Sequence, residues 1–270
     1  MKTYVCLMID IKASKSYSIE QRNIIQKYML DVMHCLNHLF QHQLVHEVVC
    51  SAGDEMQGVF YHAKDAWMYF RLMETFMVPV EIRGGIGQGA WTIRMEEVGS
   101  TYQDGPLFYA ARTAIQKAHV SKLHRLCSEG FSNGSIDVLL NASYSLRQQQ
   151  NLTQNLTMSY IECLYPFYDS SLSLDETILL QLMNLKQQYY TSWNQVEVNV
   201  ISQIDVKGIS IHEETTNYEA LIMVRNMSLN LAKALVCTRQ NADKLIKRGY
   251  IYQIRQLDYY VIKQLMKEES

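Results

Sequence analysis

The chain has 270 residues, of which 48% are hydrophobic and 19% charged, and it carries a formal net charge of −2. This length can form one large domain or two modest ones, and the near-neutral charge means that any basic surface has to be local. No segment contains the ~18 uncharged apolar residues of a membrane span, and Asp10 breaks the N-terminal apolar run, which is typical of a strand rather than a signal peptide.

The first 120 residues alternate between strand and helix patterns. Apolar runs predict strands at residues 3–11, 44–51, 56–61 and 80–89. Apolar residues at helical spacing predict helices at residues 18–41, 62–77 and 105–119. This order predicts an α+β, ferredoxin-like fold with a split βαβ plan, in which an antiparallel sheet carries its helices on one face.

The remainder of the chain is predicted to be a connector followed by a helical domain. Residues 126–172 are polar and uneven, which is typical of a variable connector or a partly ordered extension. From residue 174 onward, apolar residues recur at helical spacing. The sequence therefore predicts three parts, at residues 1–125, 126–172 and 173–270.

Six cysteines are scattered along the chain without a CxxC pair. This spacing favours reduced, mostly buried thiols over zinc ligands or disulfides. We therefore expect a cytoplasmic protein that is not inserted in a membrane.

Two aspartates are predicted to meet at one edge of the sheet. Asp10 ends the first strand, and Asp54 follows Gly53 in the turn between the second and third strands. Two carboxylates placed in this way commonly hold a divalent metal against a nucleotide triphosphate. A single turn aspartate usually only stabilises its turn, so the interpretation depends on what else lies near the pair.

Small and polar residues near this pair are candidates for ligand contact. Gly85 and Gly87, within the run of residues 83–89, allow another backbone or a ligand to approach the fourth strand closely. Ser14 and Lys15 follow Asp10 and can offer a hydroxyl and a positive charge to phosphate. An ordinary solvated polar loop has the same composition, and both interpretations stay open.

Arg112 lies about two turns into the helix that begins near Pro106. That helix is otherwise typical of a packed one, so the guanidinium requires an anionic partner. The partner is either a phosphate or an acidic side chain, Asp104 or Glu97.

Taken in order, these motifs resemble the catalytic domain of class III nucleotide cyclases. They resemble in more detail a bacterial offshoot of that group, the SatD family, over residues 1–120. The motifs that carry the resemblance are Asp10 with Ser14-Lys15 and Arg22, residues 53–58, residues 85–89 with Thr92, and Gly105-Pro106 with residues 109–112.

This resemblance implies roles for individual residues. It implies that Asp10 and Asp54 hold Mg²⁺ or Mn²⁺, and that Arg112 is the catalytic residue that stabilises the transition state. It further implies a nucleotide ligand, whose expected contacts are Ser14, Lys15, Gly53, Gly85 and Gly87. Because cyclase-like domains often complete their sites across a dimer, it also implies a possible homodimer.

One position departs from the cyclase pattern. Cyclases have an asparagine four residues before the arginine, where it orients the ribose, whereas this chain has Phe108. An aromatic ring cannot supply that hydrogen bond. The resemblance therefore favours metal and nucleotide binding over cyclisation.

A helix-turn-helix is predicted near the C-terminus. Its apolar seam consists of Leu231, Leu235, Ala242 and Leu245, and Thr238 can cap the second helix. The residues predicted to contact base edges and phosphates of DNA are Arg239, Gln240, Asn241, Lys244, Lys247 and Arg248. Val236 stands where such turns usually need glycine for a positive φ.

Local charge agrees with this prediction. Seven lysines and arginines stand against one acid between Arg225 and Arg255, which is the electrostatic pattern expected of a DNA-binding surface. A plain helical hairpin with a solvated basic face has the same pattern. The segment resembles the sigma-factor region 4 type of helix-turn-helix over roughly residues 175–265.

Three functions fit these patterns. The favoured hypothesis is a cytoplasmic DNA-binding regulator whose N-terminal domain binds a nucleotide or another phosphate-bearing small molecule. The second is an active Mg²⁺-dependent nucleotide cyclase or nucleotidyltransferase. The third is a non-catalytic scaffold protein with a degenerate cyclase fold.

Overall fold

The first apolar run of the sequence forms the central strand of a five-stranded sheet, β1 (Thr3–Ile11). The computed structural model describes residues 2–93, 103–169, 174–194, 200–213 and 217–268. The other strands are β2 (Leu44–Ala52), β3 (Glu55–Phe60), β4 (Ile82–Ala90) and β5 (Leu126–Glu129), and the sheet order is β2-β3-β1-β4-β5. Strand β5 pairs parallel with β4, whereas the other pairs are antiparallel. The sheet is therefore mixed, and the prediction of a wholly antiparallel sheet is wrong.

Three helices of this unit begin and end close to their predicted positions, and a fourth lies in the predicted connector. They are α1 (Ile19–Leu39), α2 (Ala63–Met77), α3 (Pro106–Val120) and the short α4 (Ile136–Leu140). Ser18 and Gln21 form a capping box at the start of α1, which satisfies backbone N–H groups that have no partner within the helix. Pro106 occupies the first turn of α3, as predicted.

Adjacent glycines in β4 show that helices cover both faces of the sheet. A Cβ added at Gly84 would lie 2.7 Å from a ring carbon of Phe70 in α2. A Cβ added at Gly85 would lie 2.3 Å from the backbone nitrogen of Ile115 in α3. Because neighbouring residues of a strand face opposite sides, α2 and α3 pack on opposite faces. The prediction that all helices lie on one face is wrong.

Two compact units divide the chain: the first comprises residues 1–142 with 265–270, and the second comprises residues 143–264. Within the predicted connector, residues 126–129 form β5 of the sheet and residues 152–164 form a helix of the second unit. Residues 170–173, where the predicted boundary at 172 falls, lie outside the described residues.

Helices dominate the second unit. Its elements are α5 (Tyr144–Gln148), α6 (Leu152–Leu164), α7 (Glu176–Asn194), α8 (Tyr218–Ile222), α9 (Met227–Ala234), α10 (Arg239–Arg248), α11 (Ile251–Glu268) up to residue 264, and the strands β6 (Phe167–Tyr168) and β7 (Ile209–Ser210). The two short strands pair in parallel. The unit was predicted to be purely helical, and this prediction is wrong. Among the described residues no single helix is both long and apolar enough to cross a membrane; one bent pair, Tyr218–Ala234 with Arg239–Arg248, passes on length and composition only.

A buried ion pair ties α11 to α6. Nη1 of Arg255 lies 2.7 Å from Oε1 of Glu162, and both side chains are fully buried. The guanidinium also lies 4.2 Å from the ring centroid of Phe167 and donates a hydrogen bond to the carbonyl of Tyr165. Arg255 is therefore part of the core of the second unit.

Candidate functional site

Asp10 lies at the end of β1 with two basic side chains around it. Register places it opposite Arg83 of β4, and the Nε of Arg83 lies 3.2 Å from Asp10 Oδ2. Nε2 of His119, near the end of α3, lies 3.3 Å from the same oxygen. Asp10 is thus held within the protein by a guanidinium and an imidazole.

Asp54 lies on the neighbouring hairpin, between β2 and β3. Gly53 takes φ 65 in this turn, which accounts for a glycine there. Burial raises the pKa of Asp10 from its ordinary value, and the negative charge of Asp54 raises this pKa further. The two carboxylates are therefore close enough for their charges to interact. Oδ2 of Asp54 is buried and has no hydrogen-bond partner among the described residues.

Arg112 lies on α3, with its side chain 59% exposed, and its Nη2 is 3.9 Å from Oε1 of Glu55. Of its predicted acidic partners, Asp104 instead accepts a hydrogen bond from the Gly105 N–H at the start of α3, and Glu97 lies outside the described residues. The anionic partner of Arg112 is therefore a residue of the same hairpin that carries Asp54.

These residues form a mixed charged cluster at one end of the sheet, which we call the carboxylate cluster. Its acids are Asp10, Asp54 and Glu55, and its basic residues are Arg83, Arg112 and His119. Buried carboxylate oxygens without hydrogen bonds are costly, and a divalent cation would supply the missing partner for Asp54. The donor set fits Mg²⁺ or Mn²⁺, which prefer carboxylate oxygen.

The glycines of β4 have a packing role in this structure. A Cβ added at Gly85 would lie 2.3 Å from the backbone nitrogen of Ile115, and one added at Gly87 would lie 2.1 Å from that of Ala111. Because glycine has no Cβ, α3 can lie directly on the strand. The backbone that approaches them is therefore that of a helix, and contact of Gly85 and Gly87 with a nucleotide stays a prediction.

Phe108 is 6% exposed and belongs to the core between α3 and β1, where its ring contacts Trp91 edge-on at 6.0 Å. Its side chain thus packs inside the protein. Ser14 and Lys15 lie in a single 3₁₀ turn after β1, with Lys15 exposed. Their contact with phosphate stays a prediction.

The six residues predicted to contact DNA all lie on α10, and each is exposed. They are Arg239, Gln240, Asn241, Lys244, Lys247 and Arg248. The opposite side of the helix packs through Ala242 and Ile246, which are fully buried. Lys247 forms an ion pair with Asp243 at 2.9 Å, and the hydrogen bond from Lys247 is the main reason why the pKa of Asp243 lies below its ordinary value.

The turn between α9 and α10 has the predicted details. Thr238 accepts a hydrogen bond from the Asn241 N–H and so caps α10. Val236 is 69% exposed and takes φ 49, a conformation that is rare for a β-branched residue. The axis of α10 is bent by 111° from that of the segment Tyr218–Ala234.

Sequence reasoning missed three members of the carboxylate cluster: Glu55, Arg83 and His119. Arg83 could have been found by pairing the first and fourth strands, which places it opposite Asp10. His119 follows Arg112 by seven residues, which is two helical turns, so both lie on one side of α3. Arg255, counted in the basic patch, is instead buried with Glu162.

Comparison with known proteins gives one match. The sequence profile of the SatD family matches residues 4–158, which is more than half of the chain. No curated protein and no solved structure matches.

Proposed function

This chain belongs to the SatD family, and we propose that it is a regulatory protein that binds DNA through α10. The observation that carries the proposal is the exposure of all six predicted contact residues on one capped helix. A helix whose basic and amide side chains are all in solvent, while Ala242 and Ile246 on its other side are buried, has the chemistry of a recognition helix.

The charge and geometry of this segment support the proposal. With Arg255 buried, the segment still presents exposed Arg225, Lys233 and the four basic residues of α10 against the single acid Asp243. Arginine and the amides of glutamine and asparagine can bond to base edges, and lysine suits phosphates. The chain changes direction by 111° between the segment Tyr218–Ala234, which comprises α8 and α9, and α10, and a sharp turn before the second helix is a feature of helix-turn-helix motifs.

The double substitution Arg239→Ala with Lys244→Ala is expected to weaken DNA binding about 10- to 100-fold, and to lower the slope of log affinity against log salt by about two. Both side chains are exposed, so the fold should not change. Fluorescence anisotropy with labelled DNA from upstream of the gene, at several salt concentrations, measures both quantities.

The matched control removes the same charge from the other unit. Lys27→Ala with Lys122→Ala replaces two exposed lysines far from α10 in sequence, and affinity should stay within about twofold. The proposal is rejected if the wild-type protein does not bind DNA, or if both double variants weaken binding equally.

The unpaired Oδ2 of Asp54 favours a second activity, the binding of a divalent metal with a nucleotide at the carboxylate cluster. Asp10 and Asp54 would hold the cation, which when bound neutralises phosphate charge. Arg112, whose side chain is more than half exposed, and the exposed Lys15 would supply positive charge to the phosphate of such a ligand. Phe108 is buried and stands where cyclases have the asparagine that orients the ribose. Because a phenyl ring cannot make that hydrogen bond, we propose that the site binds the nucleotide without cyclising it.

Manganese is expected to raise the melting temperature of the wild-type protein, alone and further with ATP or GTP, because a ligand that binds only the folded state stabilises it. Asp54→Asn should abolish the increase with manganese, whereas Glu20→Gln, an exposed acid of α1, should retain it. Equal shifts in wild type and Asp54→Asn exclude metal binding by this pair. A cyclic or pyrophosphate product in the same incubation, absent with Asp54→Asn, favours the enzyme hypothesis instead.

A further inference from the structure

A second group of possible metal ligands lies apart from the carboxylate cluster, where β5 meets α4. His124 precedes β5, Cys127 lies within it, and Asp137 lies in the first turn of α4. One ligand atom from each residue lies within 4.8 Å of the other two, and among the described residues this is the group of three that meets this condition. We propose that His124, Cys127 and Asp137 bind a divalent transition metal of the zinc class.

The donor set selects the kind of metal. A thiolate with an imidazole favours zinc and similar transition metals, whereas Mg²⁺ and Ca²⁺ prefer sites made of oxygen. Around a tetrahedral zinc, ligand atoms lie about 3.5 Å apart. Small rotations of the three side chains are therefore enough to close the site. A bound water would complete the fourth position, as in zinc sites with three protein ligands.

The surroundings hold these ligands in place. Oδ1 of Asp137 accepts hydrogen bonds from the backbone N–H of Ser128 at 2.7 Å and from the Ser128 hydroxyl at 2.6 Å. Outer contacts of this kind fix a metal-binding carboxylate and strengthen binding. Cys127 is 3% exposed, while His124 is half-buried, so that part of this residue is open to solvent.

The thiol has to lose its proton when the metal binds. Burial, followed by the nearby charge of Asp137, raises the pKa of Cys127 to about 11, so the metal-free site carries a neutral thiol at pH 7. A metal ion stabilises the thiolate, and the proton leaves to solvent. The bound metal would connect three consecutive parts of the chain: the loop before β5, β5 itself and α4.

Cobalt titration of the purified chain tests the proposal. The wild-type protein should develop the near-ultraviolet charge-transfer band of a cobalt thiolate, and zinc should displace it. Cys127→Ser should abolish this band. Cys50→Ser, which removes an exposed thiol of β2, and Asp54→Asn, in the carboxylate cluster, should both leave it unchanged.

His124→Asn keeps the proposal testable if Cys127→Ser fails to fold, because His124 is only half-buried. It should weaken cobalt binding by at least about tenfold without changing the circular dichroism spectrum. The proposal is overturned by a wild-type chain without the band in excess cobalt. It is equally overturned by a band that survives Cys127→Ser, disappears with Cys50→Ser, or is unaffected by His124→Asn.

Discussion

Replacing Gly87 with alanine is expected to lower the free energy of unfolding of the first unit by about 3 kcal/mol. The added Cβ would lie 2.1 Å from the nitrogen of Ala111 and 2.4 Å from the carbonyl oxygen of Leu107. Both atoms belong to the backbone of α3, so no side-chain rotation can relieve the overlap and the helix itself has to move. For a unit of this size the loss corresponds to a fall in melting temperature of roughly 6–12 °C.

Gly134→Ala is the matched control, since a Cβ there meets nothing within 4 Å, and it should change stability by less than about 0.5 kcal/mol. Hydrogen exchange measured by mass spectrometry should show faster exchange in α3 and β4 of the Gly87 variant, with α6 unaffected. If Gly87→Ala has the melting temperature and hydrogen exchange of the wild-type protein, α3 does not lie directly on β4.

This prediction concerns a residue whose role the sequence left open. A glycine-rich strand allows either a ligand or a protein backbone to approach, and composition cannot choose between them. In the structure a protein backbone approaches the strand: α3, which comes later in the chain, packs against Gly85, Gly87 and Gly89. Such long-range packing is visible only in the folded structure.

Local sequence patterns were sufficient to predict most helices and strands of the first unit. The run at residues 3–11 is β1, and the helix predicted at 105–119 is α3, Pro106–Val120. Strand β5, by contrast, has only four residues and no alternating pattern. It is held by its parallel pairing with β4 and by Asn141, whose Oδ1 accepts hydrogen bonds from the N–H groups of Arg125 and Leu126.

Two acids of the carboxylate cluster were predicted, whereas Glu55 and two of its three basic residues were missed. Asp10 and Asp54 stand out because each interrupts an apolar pattern at the end of a strand or in a turn. His119 lies in a helix whose exposed side is polar, where one more histidine is ordinary. Its contact with Asp10 depends on the position of α3 across the sheet, and that position depends on the glycines of β4.

Removing the carboxylate of Glu162 is expected to destabilise the second unit, which carries α10, by about 3–5 kcal/mol. Glu162→Gln keeps the shape of the side chain but leaves the guanidinium of Arg255 charged in a fully buried position. A buried charge that loses its partner is costly, because water cannot reach it. Hydrogen exchange in α6 and α11 should accelerate strongly, with the exchange in β1 and β4 unchanged.

Two further variants separate this effect from other causes. Asp205→Asn breaks an ion pair of the same unit with Lys207 in which both side chains are about half exposed or more, and it should cost no more than about 1 kcal/mol because solvent screens such pairs. Glu162→Leu combined with Arg255→Met removes both charges and should recover most of the stability, since apolar replacements of a buried pair are often neutral. If the double variant is as unstable as Glu162→Gln, the cost arises from lost packing around Phe167 and Tyr165 rather than from the unpaired charge.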